Sequence, residues 1–524
     1  MLMILANAAL IGCSCSKQEQ RPGNSKPNIV IILADDLGFS DIGYFGGEIA
    51  TPNIDILASQ GMSFTQFYNA GRCCPSRASL LTGLYPHQAG VGGMVSPGNR
   101  PGYLGRLNEN CATFANVLSQ SGYQTFLSGK WHVTHYNYTD PKPTLHPETW
   151  PLQRGFDRFF GILAGGGSYF SPQSLMVDNE FIEPEKDFYF TDQINDHAVK
   201  FIQEADNDNP FLLFVSHVAP HWPLHALPEH INRFKGKYDM GWDELRELRY
   251  NKMIETGILD PNWPLTPRDE RVPPWEDARN KEWEDHRMAV YAAQIYSMDQ
   301  GIGRIMEALK NTSKYDNTLI LFLSDNGGSS EIIGGIDTRH GYFERGGTTS
   351  EILPGGPDTY ASYAVGWANA SNTPFRLYKS WMHEGGISTP LIAHWPKEIL
   401  PNQITHELGH VIDIMPTLIE LSGAEYPSEL NGNHLTPLEG ISLLPVLKGE
   451  AKEQHKAIFW EHFGNKAIRV GEWKLVSADN GEWELYNMEK DRTEMNNLNE
   501  KFPGRVDEMI QMWKEWADKS NVDY

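Results

Sequence analysis

Two pairs of hard oxygen donors stand in the chain, Asp35-Asp36 and Asp325-Asn326, and each follows a short apolar run, Asn28–Leu33 (NIVIIL) and Thr318–Leu323 (TLILFL). Adjacent carboxylates repel unless a cation neutralises them. Ca²⁺ takes six to eight oxygens of this kind, and Mg²⁺ takes fewer with stricter geometry. Strand-end turns also use Asp and Asn, so the pairs alone leave both readings open. No HExxH or CxxC spacing offers a zinc site. A second constellation is Cys73-Cys74-Pro75-Ser76-Arg77, continued by Leu80-Leu81-Thr82-Gly83. Pro75 suits a first helical turn, which places Cys73 near a helix N-terminus, where a thiol is acidified and an anion is welcome. Spacing alone allows either a reactive thiol or a buried structural cysteine there. Arg77 lies one helical turn further on the same face. Two more apolar runs lead into polar groups: Gln124–Leu127 into Gly129-Lys130-Trp131-His132, and Pro210–Val215 into Ser216-His217 and His221-Trp222-Pro223.

The same runs define the architecture that gathers these residues. Their β-branched continuity without polar alternation predicts strands of a parallel sheet covered on both faces. Pro390–Ala393 reads as another such strand. Helical patterns at Asn53–Ser59, Ala112–Ser121, Thr191–Glu204, Met288–Leu309 and His410–Leu421 lie between them, which predicts a layered α/β domain. In open α/β sheets ligands bind beyond the carboxyl ends of strands, so four strand ends would bring the acids, the lysine and the histidines to one crevice. Residues 225–285, rich in Trp, Pro and charge, and residues 327–375, rich in Gly, Ser and aromatics such as Tyr342, Phe343 and Trp367, read as long functional loops. The last 70 residues change character. Short strands at Ile458–His462, Ala467–Arg469, Trp473–Val476 and Trp483–Tyr486 precede an amphipathic helix near Gly504–Lys519, a small α+β subdomain. The expected division is 27–450 for the main domain and 451–524 for the C-terminal subdomain.

Composition bounds the partners. The chain has 524 residues, 44 Lys plus Arg against 67 Asp plus Glu, and a net charge of −23, which argues against nucleic acid. No internal stretch of 18 apolar residues predicts a membrane span. Residues 1–12 are apolar and run into Leu10-Ile11-Gly12-Cys13, which resembles a lipoprotein signal with cleavage before Cys13. Residues 13–26 would then be a tether, with membrane contact through a lipid on Cys13, and the location a bacterial cell envelope, periplasmic or anchored to the outer membrane.

Cys73-x-Pro75-Ser76-Arg77 with its Leu-Leu-Thr-Gly tail resembles the signature of the type I, formylglycine-dependent sulfatases. Lys26–Asp36, Thr51–Asp55, Gly129–His132, His221–Pro223, Ser324–Gly327, Lys379 with Glu384-Gly385-Gly386, Gly471–Lys474 and Leu485–Asn487 resemble further blocks of that family in family order. Arg72 departs from the pattern, where a small or apolar residue is commoner. The resemblance implies an alkaline-phosphatase-like α/β/α sandwich with a mostly parallel central sheet. It implies that a maturation enzyme oxidises Cys73 to Cα-formylglycine, and that Asp35, Asp36, Asp325, Asn326 and residue 73 hold Ca²⁺ rather than Mg²⁺. By the same resemblance Arg77 reaches back to the aldehyde hydrate, His132 is the base, and Lys130, His221 and Lys379 hold the sulfate or protonate the leaving oxygen. The His-Trp-Pro block favours His221, with His217 the alternative. His217, Arg376, His383, Trp367 and Asn369 are expected substrate contacts. The implied reaction is hydrolysis of an aryl sulfate or exo-desulfation of a sulfated glycan. A phosphonate or phosphate ester hydrolase, or a non-catalytic glycan-binding lipoprotein, are the competing readings.

Overall fold

The structure, a computed structural model, describes residues 26–333 apart from 138, 139, 141, 143 and 144, and residues 352–524. The signal segment, tether and Cys13 lie outside the described residues, as do Tyr342 and Phe343.

The central sheet is built from β1 (Asn28–Asp35), β2 (Met62–Tyr68), β3 (Gln124–Lys130), β4 (Arg158–Ile162), β5 (Leu175–Val177), β6 (Glu180–Phe181), β7 (Phe211–Pro220), β8 (Thr318–Ser324), β9 (Ser388–His394), β10 (Gln403–Thr405) and β11 (Gly409–His410). Its order is β10-β2-β9-β8-β1-β7-β3-β4-β5-β6, with β11 also on β2. β8, β1, β7, β3 and β4 run parallel. β9 pairs antiparallel with both β2 and β8. Ile29 to Ala34 are all buried, as expected for a strand covered on both faces. One helical layer contains the helices Pro52–Ser59, Phe190–Glu204 and Lys281–Asn311, and the other contains Cys73–Thr82, Phe114–Ser119 and Ile414–Ser422. The expected α/β/α sandwich is therefore present, with one large core spanning both layers.

A four-stranded antiparallel sheet comes next: Ile458–His462, Asn465–Val470, Trp473–Ser477 and Glu484–Asn487, packed on the helix Pro503–Ser520. It is the α+β subdomain read from the sequence. A buried charge network ties it to the main body. Lys474 Nζ lies 2.8 Å from both Glu384 Oε1 and Glu494 Oε1, and Arg492 Nε lies 3.0 Å from Glu384 Oε2.

Segment 225–285 is not the structureless loop expected. It holds the helices Pro228–Ile231 and Gly241–Glu255. The second was hidden because its buried face carries charge: Arg246 and Arg249 share that face with Trp242, Leu245 and Met253. Arg249 is satisfied by Asp41 at 2.7 Å and Glu48 at 2.8 Å, so an inward arginine here replaces the apolar period that a helix normally displays. In the second expected loop the described part includes the helix Ala364–Ser371.

Candidate active site

β1 lies between β8 and β7, and β3 flanks β7, so their carboxyl ends open on one crevice. β1 delivers Asp35 and Asp36, β8 delivers Asp325 and Asn326, β3 delivers Lys130 and His132, and β7 delivers the turn to His221. The approach needs a glycine at 129. Its φ is +123°, and a Cβ there would sit 1.9 Å from the Ser216 carbonyl oxygen of the neighbouring strand. Cys73 is the first residue of the helix Cys73–Thr82, every residue of which is buried, and Gly83 closes that helix in the left-handed region.

The charges interlock. Arg77, fully buried, donates from Nε to Asp325 Oδ2 at 2.9 Å and from Nη1 to the Lys130 carbonyl at 3.1 Å, and its Nη2 lies 3.7 Å from Asp35. Lys130 Nζ donates to Asp35 Oδ2 at 2.6 Å. Lys379 Nζ lies 2.8 Å from Asp36 Oδ1. His221 Nε2 lies 3.6 Å from Asp36 Oδ2, and its Nδ1 faces the Trp222 carbonyl. The phenol of Tyr169 donates to the His221 carbonyl at 2.8 Å, which fixes that turn from behind. One ring nitrogen of His132 lies within 4.8 Å of the thiols of Cys73 and Cys74, and neither ring nitrogen has a hydrogen-bond partner.

Burial sets the protonation states. It raises Asp325 to about 8, with Asp35 adding to the rise and Arg77 opposing it. It raises Asp35 to about 6 against Lys130 and Arg77. It lowers His132 to about 3 and His221 to about 4, so both are neutral imidazoles near pH 7. The Cys73 thiol is held well below its ordinary value, first by the adjacent Cys74 and then by Lys130, His132 and Lys379, against its burial.

The structure thus brings together Asp35, Asp36, Cys73, Arg77, Lys130, His132, His221, Asp325, Asn326 and Lys379. Of the expected substrate contacts, it turns Trp367, Asn369, Arg376 and His383 toward other partners and leaves His217 beside Arg77. Trp367 is fully buried among Tyr238, Trp242 and Trp275 and donates to Glu284, a core position with no face toward a substrate. Asn369 is buried and accepts from the Asp269 backbone. It borders a separate cavity of about 550 Å³ with Arg271, Arg376 and Tyr486. Arg376 pairs with Glu484 and donates to Tyr486 Oη at 2.9 Å, and His383 Nε2 lies 3.1 Å from Glu484, so both face the C-terminal sheet. Neither imidazole nitrogen of His217 has a hydrogen-bond partner, and its backbone carbonyl lies 3.5 Å from Arg77 Nη2. His221, not His217, is therefore the histidine beside Asp36. Glu331 is a member of the site that sequence reasoning missed. It contacts Lys379 at 3.3 Å and Arg72 at 3.0 Å, and no local spacing marks it.

Fold and centre together define an α/β/α enzyme of the alkaline-phosphatase-like class. A family model described as Sulfatase matches residues 27–424, and one described as N-sulphoglucosamine sulphohydrolase, C-terminal, matches residues 375–520. A sulfatase of Schizosaccharomyces pombe is 32% identical over 539 residues and covers 95% of each chain. An arylsulfatase of Klebsiella aerogenes is 33% identical, covering 85% of this chain and 95% of that one. The crystal structure of Ps i-CgsB in complex with k-i-k-neocarrahexaose matches with a TM-score of 0.68 at 26% identity, over 94% of this chain and 93% of that one. The chain belongs to the sulfatase family and is a sulfuric ester hydrolase.

Proposed function

We propose that this centre hydrolyses a sulfate ester of a phenol or a glycan through an aldehyde hydrate derived from Cys73, with Ca²⁺ held by Asp35, Asp36, Asp325, Asn326 and residue 73. The observation that carries the reading is the position of Cys73, which lies within 4.8 Å of His132 and is close enough to Lys130, Lys379, Asp35 and Asp325 for their charges to act on one another. The residues fit a hard cation. Asp35 Oδ1 and Asn326 Oδ1 are buried oxygens without a hydrogen-bond partner, and burial drives Asp35 and Asp325 toward protonation, which a divalent charge would reverse. Bound there, the ion supplies charge to offset the sulfate oxygens and acidify a hydroxyl. The hydrate supplies two hydroxyls on one carbon, one to attack sulfur and one to lose a proton so that sulfate leaves.

The chain's own residues do the rest. Lys130 and Lys379, buried and fixed, present ammonium groups to a tetrahedral anion in a water-poor site, where such charges stabilise charge developing in the transition state. Neutral His132 has ring nitrogens without partners and accepts a proton from residue 73. His221 holds the leaving oxygen's side of the cleft, oriented by the Trp222 carbonyl and Tyr169. Arg77 fixes Asp325 and the Lys130 backbone.

The relative named arylsulfatase and the neighbour solved with k-i-k-neocarrahexaose support sulfated phenols and glycans as the substrate range. Location in a bacterial envelope through a lipid on Cys13 is part of the same proposal and is checked by metabolic lipid labelling of the full chain with and without C13A. For the chemistry, peptide mass spectrometry on protein from its own host should show residue 73 as aldehyde, and sulfate release from an aryl sulfate should exceed phosphate release from the matching aryl phosphate. Active protein with an unmodified thiol at residue 73, or retained turnover in C73A or D325A, would overturn it.

A further inference from the structure

Beside its hard oxygen donors the centre holds a softer set. Cys73 and Cys74, both free thiols, and His132 offer three donor atoms that all lie within 4.8 Å of one another. All three residues are buried, and neither ring nitrogen of His132 has a hydrogen-bond partner. The thiols open the helix Cys73–Thr82, and Cys74 Sγ packs against the Gly93 carbonyl at 3.6 Å and the Met94 thioether at 3.5 Å. His132 arrives from just past the end of β3, so no zinc-motif spacing announces the group. An imidazole left without partners in a buried site calls for a reaction or an ion to explain it. In the converted enzyme the reaction supplies the explanation, and in the unconverted chain it does not.

We propose that the chain whose residue 73 is still a thiol binds Zn²⁺ through Cys73, Cys74 and His132. Two thiolates and one imidazole are donors that zinc prefers, in a three-ligand site whose fourth position stays open. Zinc–sulfur bonds of about 2.3 Å and zinc–nitrogen bonds of about 2.0 Å at tetrahedral angles need donors about 3.5–3.8 Å apart, at most about 1.3 Å closer than they stand here. The neighbouring oxygen set suits a hard ion, so the two sites select by donor type. Uptake forms two Zn–S bonds and one Zn–N bond and releases both thiol protons to solvent, which leaves the ion and its ligands neutral in sum. The nearby ammoniums therefore do not repel the assembly, and each is already matched, Lys130 by Asp35 at 2.6 Å and Lys379 by Asp36 at 2.8 Å. Oxidation of residue 73 removes one of the three donors and with it the site, so zinc binding and maturation exclude each other. The zinc site itself does not rest on the hydrate chemistry.

The test uses the full chain made without a maturation enzyme, with a thiol at residue 73 shown by mass spectrometry, and carrying C13S and C15S so that the N-terminal thiols offer no donors. It is reduced, saturated with Ca²⁺ to fill the oxygen site, and titrated with Zn²⁺ against a chromophoric chelator. One Zn²⁺ should bind per chain. C73S, C74S and H132Q should each weaken binding by more than about a hundredfold, beyond the 10–100-fold that loss of a supporting partner costs, while C111A leaves it unchanged. A second readout needs no variant of the centre. Co²⁺ in place of Zn²⁺ should show thiolate-to-cobalt charge transfer and the intense d–d bands of a tetrahedral ion, and Zn²⁺ should protect Cys73 and Cys74 from alkylation. Uptake well below one Zn²⁺ per chain, an affinity unmoved by C74S or H132Q, an equal loss in C111A, or a Co²⁺ spectrum without thiolate charge transfer would overturn the proposal. An unmoved affinity would place zinc on the oxygen set instead. Sulfate release by a chain that keeps its thiol at residue 73 would count against the hydrate chemistry and leave the zinc site standing.

Discussion

Replacing Lys130 by methionine tests the cation site without relying on turnover. Lys130 and Asp35 are both fully buried, with Nζ 2.6 Å from Oδ2. Methionine keeps most of the stem volume and deletes the charge, which strands the Asp35 carboxylate. Unit charges about 4 Å apart interact by about 4 kcal/mol at an effective dielectric constant near 20, and removing one member of a buried pair costs about 3–5 kcal/mol. At about 2.1 cal/mol/K per residue, unfolding 524 residues as one unit carries about 1.1 kcal/mol/K, so the loss is about 3–5 °C in Tm. That is the expected fall in chelator. With saturating Ca²⁺ the ion replaces the lost charge on Asp35, and the fall shrinks to about 1 °C. Activity drops in both conditions by about 10²–10³, the usual effect of deleting one fixed charge from a transition-state site. The assay is a thermal melt of both proteins in EDTA and in Ca²⁺, with sulfate release measured alongside. Equal falls in Tm with and without Ca²⁺ would refute the assignment of Asp35 as a ligand. A rate within tenfold of the parent would refute a direct role for Lys130.

Three further outcomes rest on particular residues and on the surface charge. Trp367→Ala should cost about 3–5 kcal/mol, because a fully buried indole leaves a cavity among three aromatic rings, while KM for an aryl sulfate stays within about twofold; a large change in KM with little change in Tm would return Trp367 to the substrate. Burial lowers His410 to about 3, and its Nδ1 accepts from the Ile412 backbone, so folding holds the ring neutral. Its stabilising contribution is complete above the unfolded value of 6.5 and is lost as pH falls from 6.5 toward 3, by up to about 1.4 kcal/mol per pH unit. Denaturation by urea between pH 7 and 4 should therefore show a shallower pH slope for His410→Gln than for the parent, and identical slopes would assign the acid sensitivity elsewhere. The net charge of −23 should repel polyanions from the shell, so raising salt from about 20 to about 200 mM should speed capture of a large sulfated polymer; a steep slowing would mean that surface charge steers substrate inward.

The strands were legible because burial on both faces forces an unbroken apolar run. β1, β3 and β8 contain the run read from the sequence, β7 begins one residue inside it, and all four continue past its end toward the groups that do the chemistry. The polar residues just past the end of such a run are equally visible, which is why the acids, Lys130 and His132 were located together. The helix Gly241–Glu255 was illegible for the opposite reason. Its inward arginines find Asp41 and Glu48 only in the fold, and no local pattern announces partners about 200 positions away.

Arg376 and His383 meet other partners than Lys379 does, because nearness in sequence does not fix direction in space. Arg376, Lys379 and His383 lie within eight residues, yet Leu377 has φ +64° and Ser380 φ +81°. These left-handed turns on either side of Lys379 reverse the chain locally. Lys379 enters the acidic crevice, while Arg376 and His383 turn to Glu484 on the C-terminal sheet. Glu331 shows the complementary failure, because Arg72, Trp222 and Lys379 converge on it from segments that no spacing links. A crevice floor made of strand ends can be read from periodicity, since the sheet dictates it. A mouth is assembled by turns and long-range pairs, so its residues emerge only once the chain has closed.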